Sequence, residues 1–279
     1  MIWVTGAGGQ LGTAFRDILG DDARYLDRSM LDLTDGAAVA TRLRSDRPEL
    51  VLNCAAYTAV DLAESERGSA FAVNADAVEG MASGCADLGA RFVTFSTDYV
   101  FDGSRVSPYV ERDPTSPINV YGESKAHGEE RALAANPMSL VIRTSLVLSG
   151  THANFAATML RVAAAGGGLV VDDQTAHPTL VADLAPAVLD VVQRGHFGIL
   201  HLTNRGVVNR FELAREVLEI AGLDPELIRP CSTDEYPTPA RRPANSVLES
   251  ERLEELGVKP LPHYRAGLEN AVASLLRAE

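Results

Sequence analysis

Val-Thr-Gly-Ala-Gly-Gly-Gln-Leu-Gly, residues 4–12, is a glycine-rich turn between an apolar run and an amphipathic helical pattern. Glycine permits a tight turn and a close approach of the backbone to a pyrophosphate, and the following helix directs its first N–H groups at the phosphates. Ordinary strand–helix connections also contain glycine, so the prediction depends on the strand and the helix that flank this turn. The turn predicts a nucleotide-cofactor site with Gly6, Gly9, Gln10 and Leu11 as binding residues.

Outward from this turn, short apolar runs alternate with helical patterns, which is typical of right-handed βαβ crossovers and a parallel sheet. Up to residue 150 the pattern predicts strands at 2–5, ending at 25–26, and at 50–53, 91–96 and 140–144, with helices at 11–19, 37–44, 70–88 and 120–134. Beyond it, the pattern predicts helices at 154–164, 183–192, 211–221, 249–256 and 264–276, strands at 169–171 and 199–202, and an open, proline-rich segment at 225–243.

This order of elements predicts the fold class. We expect an α/β protein in which a Rossmann-type doubly wound parallel sheet carries a smaller α/β C-terminal substrate lobe. The expected NAD(P)-binding Rossmann domain comprises residues 1–150 with a return at about 179–203, and the expected substrate-binding lobe comprises about 151–178 and 204–279.

Composition limits the possible partners. The formal net charge of −13 argues against nucleic acid and against an anionic membrane, because both attract basic surfaces, and we expect neither as a partner. The chain opens without a basic and apolar leader, and Cys54, Cys85 and Cys231 form no CxxC pair. We therefore expect a cytoplasmic protein without a disulfide framework or a zinc site.

The residues after the second and third strands are candidates for the remaining cofactor contacts. Asp27 lies 21 residues after Gly6, near the spacing of an acidic residue that binds the adenosine ribose, while Arg28 suits a 2′-phosphate. The pair leaves NADH and NADPH open, and a solvated Asp-Arg pair is the alternative interpretation. The other predicted cofactor residues are Asp32, Leu33, Ala55, Ala56, Tyr57 and Asn74.

Tyr121 and Lys125 are spaced i, i+4 on a predicted helix, in a chain with only two lysines. A free tyrosine has a pKa near 10, and lowering it by roughly three units takes about 4 kcal/mol of differential stabilisation. We expect the ammonium and the positive nicotinamide ring to favour the phenolate, so that Tyr121 exchanges a proton with a carbonyl oxygen. Lys125 would also hold the nicotinamide ribose. A solvated pair on an amphipathic helix is the alternative.

Ser96, Thr97, Asp98 and Tyr99 end the fourth strand, at the same sheet edge as the glycine turn. A hydroxyl at this edge can donate to a substrate carbonyl and orient it, and we choose Thr97 with Ser96 as the alternative. Asp98 and Tyr99 are candidate contacts to sugar hydroxyls. The alternative interpretation is that these residues only cap the end of the strand.

Taken together, these residues resemble the extended short-chain dehydrogenase/reductases and, more closely, the dTDP-4-dehydrorhamnose reductase family. The resemblance covers essentially the whole chain. Its most specific motifs are Ala-Ala-Tyr-Thr-Ala-Val-Asp (55–61), Ser-Thr-Asp-Tyr-Val-Phe-Asp-Gly (96–103) and Asn-Val-Tyr-Gly-Glu-Ser-Lys (119–125), supported by Arg-Thr-Ser (143–145), Pro-Thr (178–179) and Arg-Pro (242–243).

The resemblance implies Thr97, Tyr121 and Lys125 as the catalytic set, and it implies that Val60, Asp98 and Tyr99 border a sugar. The implied reaction is hydride transfer from NADPH or NADH to C4 of a nucleotide-bound 4-keto-6-deoxysugar, with dTDP-L-rhamnose as the usual product. Some members form a homodimer bridged by magnesium through glutamates. Residues 13–16 carry no glutamate here, so we expect a possible homodimer but no metal.

One departure concerns the substrate. The resemblance places Trp and Tyr where this chain has Leu146 and Leu148, and the Trp packs against the sugar. The loss of a flat aromatic face leaves open a 4-ketoreductase for an antibiotic or streptose-type sugar. A dehydratase is disfavoured because Tyr99, rather than Glu, follows Asp98, whereas a non-catalytic regulatory subunit stays an alternative. Arg242 is a candidate contact to the substrate diphosphate, or else a solvated loop residue.

Overall fold

A computed structural model describes residues 1–278. The strands are β1 (Ile2–Thr5), β2 (Ala23–Leu26), β3 (Leu50–Asn53), β4 (Arg91–Thr97), β5 (Leu140–Thr144), β6 (Val147–Leu148), β7 (Gly168–Val171), β8 (Thr175–Ala176), β9 (Thr179–Leu180), β10 (Gly198–His201), β11 (Val208–Asn209) and β12 (Ile228–Cys231). The helices are α1 (Gln10–Leu19), α2 (Gly36–Asp46), α3 (Val60–Ala63), α4 (Arg67–Phe71), α5 (Ala77–Leu88), α6 (Val120–Ala135), α7 (Phe155–Ala164), α8 (Val181–Gln193), α9 (Arg210–Ile220) and α10 (Arg265–Ala278), with a π-helical segment at Ala72–Asp76.

Six parallel strands form the central sheet, in the order β2-β1-β3-β4-β5-β10. The chain leaves β1 for β2 on one side and then returns to β3 on the other side. This reversal confirms the predicted Rossmann-type, doubly wound sheet. Ligands of such sheets bind at the carboxyl ends of the strands, beside the point of reversal.

Both faces of the sheet are covered by helices. Val4 and Trp3 are consecutive residues of β1 and therefore point to opposite faces. Val4 shares an apolar cluster with Phe15 of α1 and with residues of α8, whereas Trp3 shares one with Met81 of α5 and with residues of α2. Trp3 and Val4 are completely buried, as expected for a parallel sheet between two helical layers.

The buried residues of a separate apolar cluster begin at Leu148, and the cluster gathers α7, α9 and α10 around β7 and β12. The prediction of an open segment at 225–243 was wrong at β12, which pairs in parallel with β7 along Ile228–Cys231. Pro230 lies within β12, and proline is tolerated because this strand is an edge of a two-stranded sheet. Burial of Ile228 and Cys231 holds the strand in place against the local preference for turns.

The predicted helix at 249–256 was also wrong, because this segment forms turns. Its polar groups are bound by distant parts of the chain. Glu249 N donates to Tyr109 O at 2.8 Å, and Arg252 Nη2 donates to Phe197 O at 3.1 Å. Tertiary contacts therefore override the helical periodicity of the segment. No helix within residues 1–278 has both the length and the apolar character to span a membrane.

A buried ion pair joins α6 to β5. Arg143 is 2% exposed, and its Nη2 donates to Glu129 Oε2 at 2.6 Å. The guanidinium also lies 5.0 Å from the ring centroid of Phe101 and contacts His201 Nε2 at 3.3 Å. Burial and the Arg143 charge lower the pKa of His201 to about 4, so this ring is neutral at pH 7 and accepts from the guanidinium.

We predict that Arg143→Met lowers the free energy of unfolding by about 3 kcal/mol, because Glu129 is left buried without its partner. The double variant Arg143→Met/Glu129→Leu should regain most of this loss, since both charges are gone. Guanidinium chloride unfolding of the two variants measures the difference. A double variant no more stable than the single one would contradict the electrostatic explanation.

Candidate active site

A cavity of about 690 Å³ crosses the carboxyl ends of five neighbouring strands. Gly6 follows β1, Asp27 follows β2, and Cys54 follows β3, while Ser96 and Thr144 lie at the ends of β4 and β5. The cavity therefore begins beside the reversal point of the sheet and extends under α6. An elongated cavity in this position has the shape and the location of a dinucleotide site.

The glycine turn fits a diphosphate. Gly6 has a φ of +63°, and a Cβ there would lie 2.5 Å from the backbone N of Ala55 at the end of β3. At Gly12 a Cβ would lie 2.4 Å from Gly6 O, so α1 packs directly on the turn. Gly9 caps α1 without a side-chain hydrogen bond, and the first turn of this helix contains no acidic residue. Its first N–H groups are thus free of side-chain acceptors and available to an anion.

Every predicted cofactor residue except Asn74 lines this cavity. These residues are Gly6, Gly9, Gln10, Leu11, Asp27, Arg28, Asp32, Leu33, Ala55, Ala56 and Tyr57. Asn74 is buried behind the lining, where it accepts from Tyr57 N at 2.9 Å and donates to Ser124 Oγ at 3.0 Å. The amide thereby joins the loop after β3 to α6, so Asn74 holds Tyr57 in place rather than facing the cavity.

The end of the cavity beside β2 carries a carboxylate and a guanidinium. Asp27 Oδ1 accepts from the hydroxyl of Ser29 at 2.6 Å and from Met30 N at 3.1 Å, and these bonds hold the pKa of the carboxyl below its usual range. Arg28 is 87% exposed and lies 3.9 Å from Asp32. A ribose hydroxyl and a 2′-phosphate would each meet a suitable group here.

Tyr121 and Lys125 share the face of α6 that lines the cavity. Asn119 begins this helix by accepting from Gly122 N at 2.7 Å. Lys125 is 5% exposed, and its ammonium donates to Phe95 O of β4 at 2.5 Å. The structure thus brings the glycine turn, the phenol and the ammonium to one cavity, as the sequence predicted.

The expected acidification of Tyr121 is absent from the protein alone. Burial raises the pKa of Tyr121 and, although a hydrogen bond with Thr97 opposes the effect, the net shift is upward. Burial also lowers the pKa of Lys125 to about 8, against the charge of Glu129. Both shifts have one physical cause, since a poorly solvated site disfavours the phenolate and the ammonium alike. At pH 7 the phenol is therefore protonated, and most of the lysine is charged.

Thr97 belongs to a chain of buried polar groups. Its hydroxyl donates to Asp98 Oδ1 at 2.8 Å and accepts from Tyr99 N at 3.2 Å. Asp98 is 2% exposed and accepts from the hydroxyl of Ser145 at 2.7 Å. The carboxylate thus fixes the orientation of the Thr97 hydroxyl behind Tyr121.

Ser96 and Thr144 line the cavity itself. Within residues 1–278, their buried hydroxyls have no hydrogen-bond partner. Buried hydroxyls are usually satisfied in native proteins, so these two have unused bonding capacity toward a bound molecule or an ordered water.

The RmlD substrate binding domain model matches residues 1–277. The chain belongs to the RmlD family. It is 46% identical to the dTDP-4-dehydrorhamnose reductase of Mycobacterium tuberculosis, over 97% of this chain and 92% of that one. It is also 40% identical to a probable dTDP-4,6-dihydroxy-2-methyloxan-3-one 4-ketoreductase of Streptomyces antibioticus, over 100% of this chain and 97% of that one.

A solved structure of a dTDP-4-dehydrorhamnose reductase from Bacillus anthracis in complex with NADP has the same fold. Its TM-score with this chain is 0.91 at 32% identity, and the match covers 100% of this chain and 99% of that one. The cavity described above is therefore placed in a fold that holds a dinucleotide in a relative.

The predicted substrate residues lie beside the cavity lining rather than on it. Arg242 donates to Asp61 Oδ2 at 2.8 Å, and its hydrogen bonds hold the pKa of Asp61 below its usual range. This guanidinium is therefore ion-paired with Asp61, and its predicted contact to a diphosphate stays a prediction. Val60 precedes Asp61 at the start of α3, and the Tyr99 ring packs edge-on against Tyr121 at 6.1 Å.

Leu146 has a φ of +40°, a left-handed conformation that is unusual for leucine. Its carbonyl accepts from Thr179 N at 3.0 Å, next to the pairing of β6 with β9. The residue that departs from the resemblance thus occupies a strained position between β5 and β6. Within residues 1–278, no group of three or more His, Cys, Asp or Glu side chains could hold a metal.

Sequence reasoning missed about half of the lining. The additional residues are Gly8, Leu26, Leu31, Thr34, Cys54, Thr58, Val73, Phe95, Thr144, Val147, His152 and Ala153. Several directly follow or end a predicted strand, so the rule that parallel strands share a carboxyl edge would have found them. His152 had no such signal, because it lies in a loop that the pattern does not orient.

We predict that Gly6→Ala lowers the free energy of unfolding by about 2 kcal/mol or more, because the new methyl meets Ala55 in a left-handed backbone. Gly8→Ala is the matched control in the same turn, since a Cβ there meets nothing within 4 Å. It should change stability by less than about 0.5 kcal/mol. Urea unfolding followed by the fluorescence of buried Trp3 tests both. Equal losses in the two variants would argue against a steric origin.

Proposed function

We propose that this chain reduces the C4 keto group of a nucleotide-activated 4-keto-6-deoxysugar with NADPH or NADH, converting dTDP-4-dehydro-L-rhamnose to dTDP-L-rhamnose. The observation that carries the proposal is that Tyr121 and Lys125 line one cavity with the glycine turn of α1. The family membership and the reductase of Mycobacterium tuberculosis support the same reaction.

The protonation state of Tyr121 suits reduction. A bound reduced nicotinamide supplies the hydride for the carbonyl carbon. Tyr121 then needs a proton to give, and burial keeps its phenol protonated at pH 7 by raising its pKa. Thr97, whose proton is held by Asp98, positions the phenol from behind through their hydrogen bond, and the Lys125 ammonium places a positive charge near the oxygen on which negative charge develops.

We further propose the division of labour between the two parts of the chain. Residues 1–150, with the return at about 179–203, bind the cofactor, and residues 151–178 and 204–279 form the lobe that receives the sugar nucleotide. The separate apolar cluster of α7, α9 and α10 supports an independent packing unit in the second part. A homodimer stays a prediction.

A second candidate is the 4-ketoreductase of another deoxysugar. Leu146 and Leu148 replace the aromatic residues expected from the resemblance, and Leu146 holds a strained backbone beside Ser145 and Asp98. The Streptomyces antibioticus relative supports this candidate at 40% identity. The chemistry is the same for both candidates, and only the sugar differs.

We predict that the protein oxidises NADPH or NADH with dTDP-4-keto-6-deoxysugars, and that Tyr121→Phe lowers kcat/KM about 1,000-fold because the proton donor is lost. The Kd for the cofactor should stay within about twofold. Absorbance at 340 nm measures turnover across a panel of sugars, and NMR of the products separates the two candidates. No oxidation with any sugar would reject the reductase, and unchanged turnover in Tyr121→Phe would reject its proposed role.

A second prediction concerns pH. Lys125 has a pKa lowered to about 8, so its ammonium is present below that pH and is lost as the pH rises through it. We expect kcat/KM to fall above about pH 8. Lys125→Arg should keep its charge and move the fall upward by more than one pH unit, whatever its effect on the maximum rate. A fall at the same pH in this variant would assign the titration to another group.

A further inference from the structure

We propose that residues 149–154 form a strap over the glycine turn and that His152 binds the diphosphate of the dinucleotide. The strap connects β6 to α7 and so links the cofactor cavity to the second apolar cluster. His152 and Ala153 line the cavity together with Gly8 and Gly9. The inference rests on the proposed function, because it requires a dinucleotide in this cavity.

The two contacts of the His152 ring show which nitrogen carries the proton and which one faces the glycine turn. Nε2 lies 3.0 Å from Gly8 O, and Nδ1 lies 2.8 Å from the hydroxyl of Thr151. A carbonyl oxygen can only accept, so Nε2 carries a hydrogen, and in the neutral ring Nδ1 accepts from Thr151. The ring therefore places its one N–H at the glycine turn, where an oxygen of a bound diphosphate would take this hydrogen bond over from Gly8 O.

Asn154 fixes the strap at its base. Its amide donates to Ser149 O at 2.8 Å and to His152 O at 2.9 Å, which closes the segment on itself. The same amide contacts Gln10 Oε1 at 3.3 Å, and its oxygen accepts from Ala157 N at the start of α7. The strap is thus held between α1 and α7, with His152 at the turn.

Position favours His152 in this role. Among residues 1–278, the basic side chains that line the cavity are Arg28, Lys125 and His152. Arg28 lies at the adenosine end, and Lys125 is bound to Phe95 O at the reacting end. Of these three residues, His152 is in contact with the turn where a diphosphate would lie.

We expect His152→Ala to raise the Kd for NADPH about tenfold, the size of one hydrogen bond to a charged group. Adenosine 2′-monophosphate, which has no diphosphate, should bind to wild type and variant equally. His152→Gln keeps an N–H donor and should lose less than about threefold. Titration calorimetry at pH 7 measures these Kd values for the wild type and for both His152 variants. The matched control is His196→Ala, which removes a ring contact of 3.0 Å to Leu256 O outside the cavity lining and should bind NADPH as wild type does.

An unchanged Kd for NADPH in His152→Ala would overturn the inference and leave the proposed function intact. Equal weakening of NADPH and adenosine 2′-monophosphate would also overturn it, because His152 would then only shape the turn. A wild-type protein that binds neither NADPH nor NADH would overturn the proposed function and this inference with it.

Discussion

The close approach of the first βα turn to the end of β3 is the constraint on which the site depends. A side chain at Gly6 would overlap the backbone of Ala55, so only glycine lets the chain pass there. Gly12 imposes the same restriction at the start of α1, where the helix lies on the carbonyl of Gly6. These contacts bring the start of α1 and the end of β3 together at the reversal point of the sheet. The cavity begins at that point, and every other part of the site is positioned relative to it.

Helix α6, which carries Tyr121 and Lys125, is held by a comparable restriction. A Cβ at Gly122 would lie 2.1 Å from Tyr99 O, and a Cβ at Gly128 would lie 2.0 Å from Asn74 O. Helix α6 therefore packs directly on the backbone after β4 and on the π-helical segment. This packing buries Lys125 and encloses the phenol of Tyr121, and burial then sets their protonation states. The same two glycines therefore allow the close packing of α6 and, through the burial that follows, set the protonation states of Tyr121 and Lys125.

The sequence was sufficient for the parts of the fold that depend on local pattern. Strands β1, β3 and β5 begin and end at the predicted residues, because apolar runs between turn residues define them. Elements that depend on distant partners were not predictable in this way. Strand β12 forms because β7 lies beside it, and the predicted helix at 70–88 is divided by the π-helical segment that buries Asn74. At the site, types of residue and sheet edges were predictable, whereas burial and pairing, as for Arg242 with Asp61, required the structure.

Three consecutive residues at the end of β5 connect the groups proposed for the reaction with the surface proposed for the substrate. Thr144 lines the cofactor cavity, and Ser145 donates to Asp98, which orients Thr97. Leu146 then adopts a left-handed backbone conformation, and its carbonyl accepts a hydrogen bond from Thr179 N. The backbone there is fixed on both sides, so the side chain at position 146 can change without moving the hydrogen bond of Ser145. A leucine in place of an aromatic residue would therefore alter the surface offered to a sugar while the polar chain behind Tyr121 stays intact.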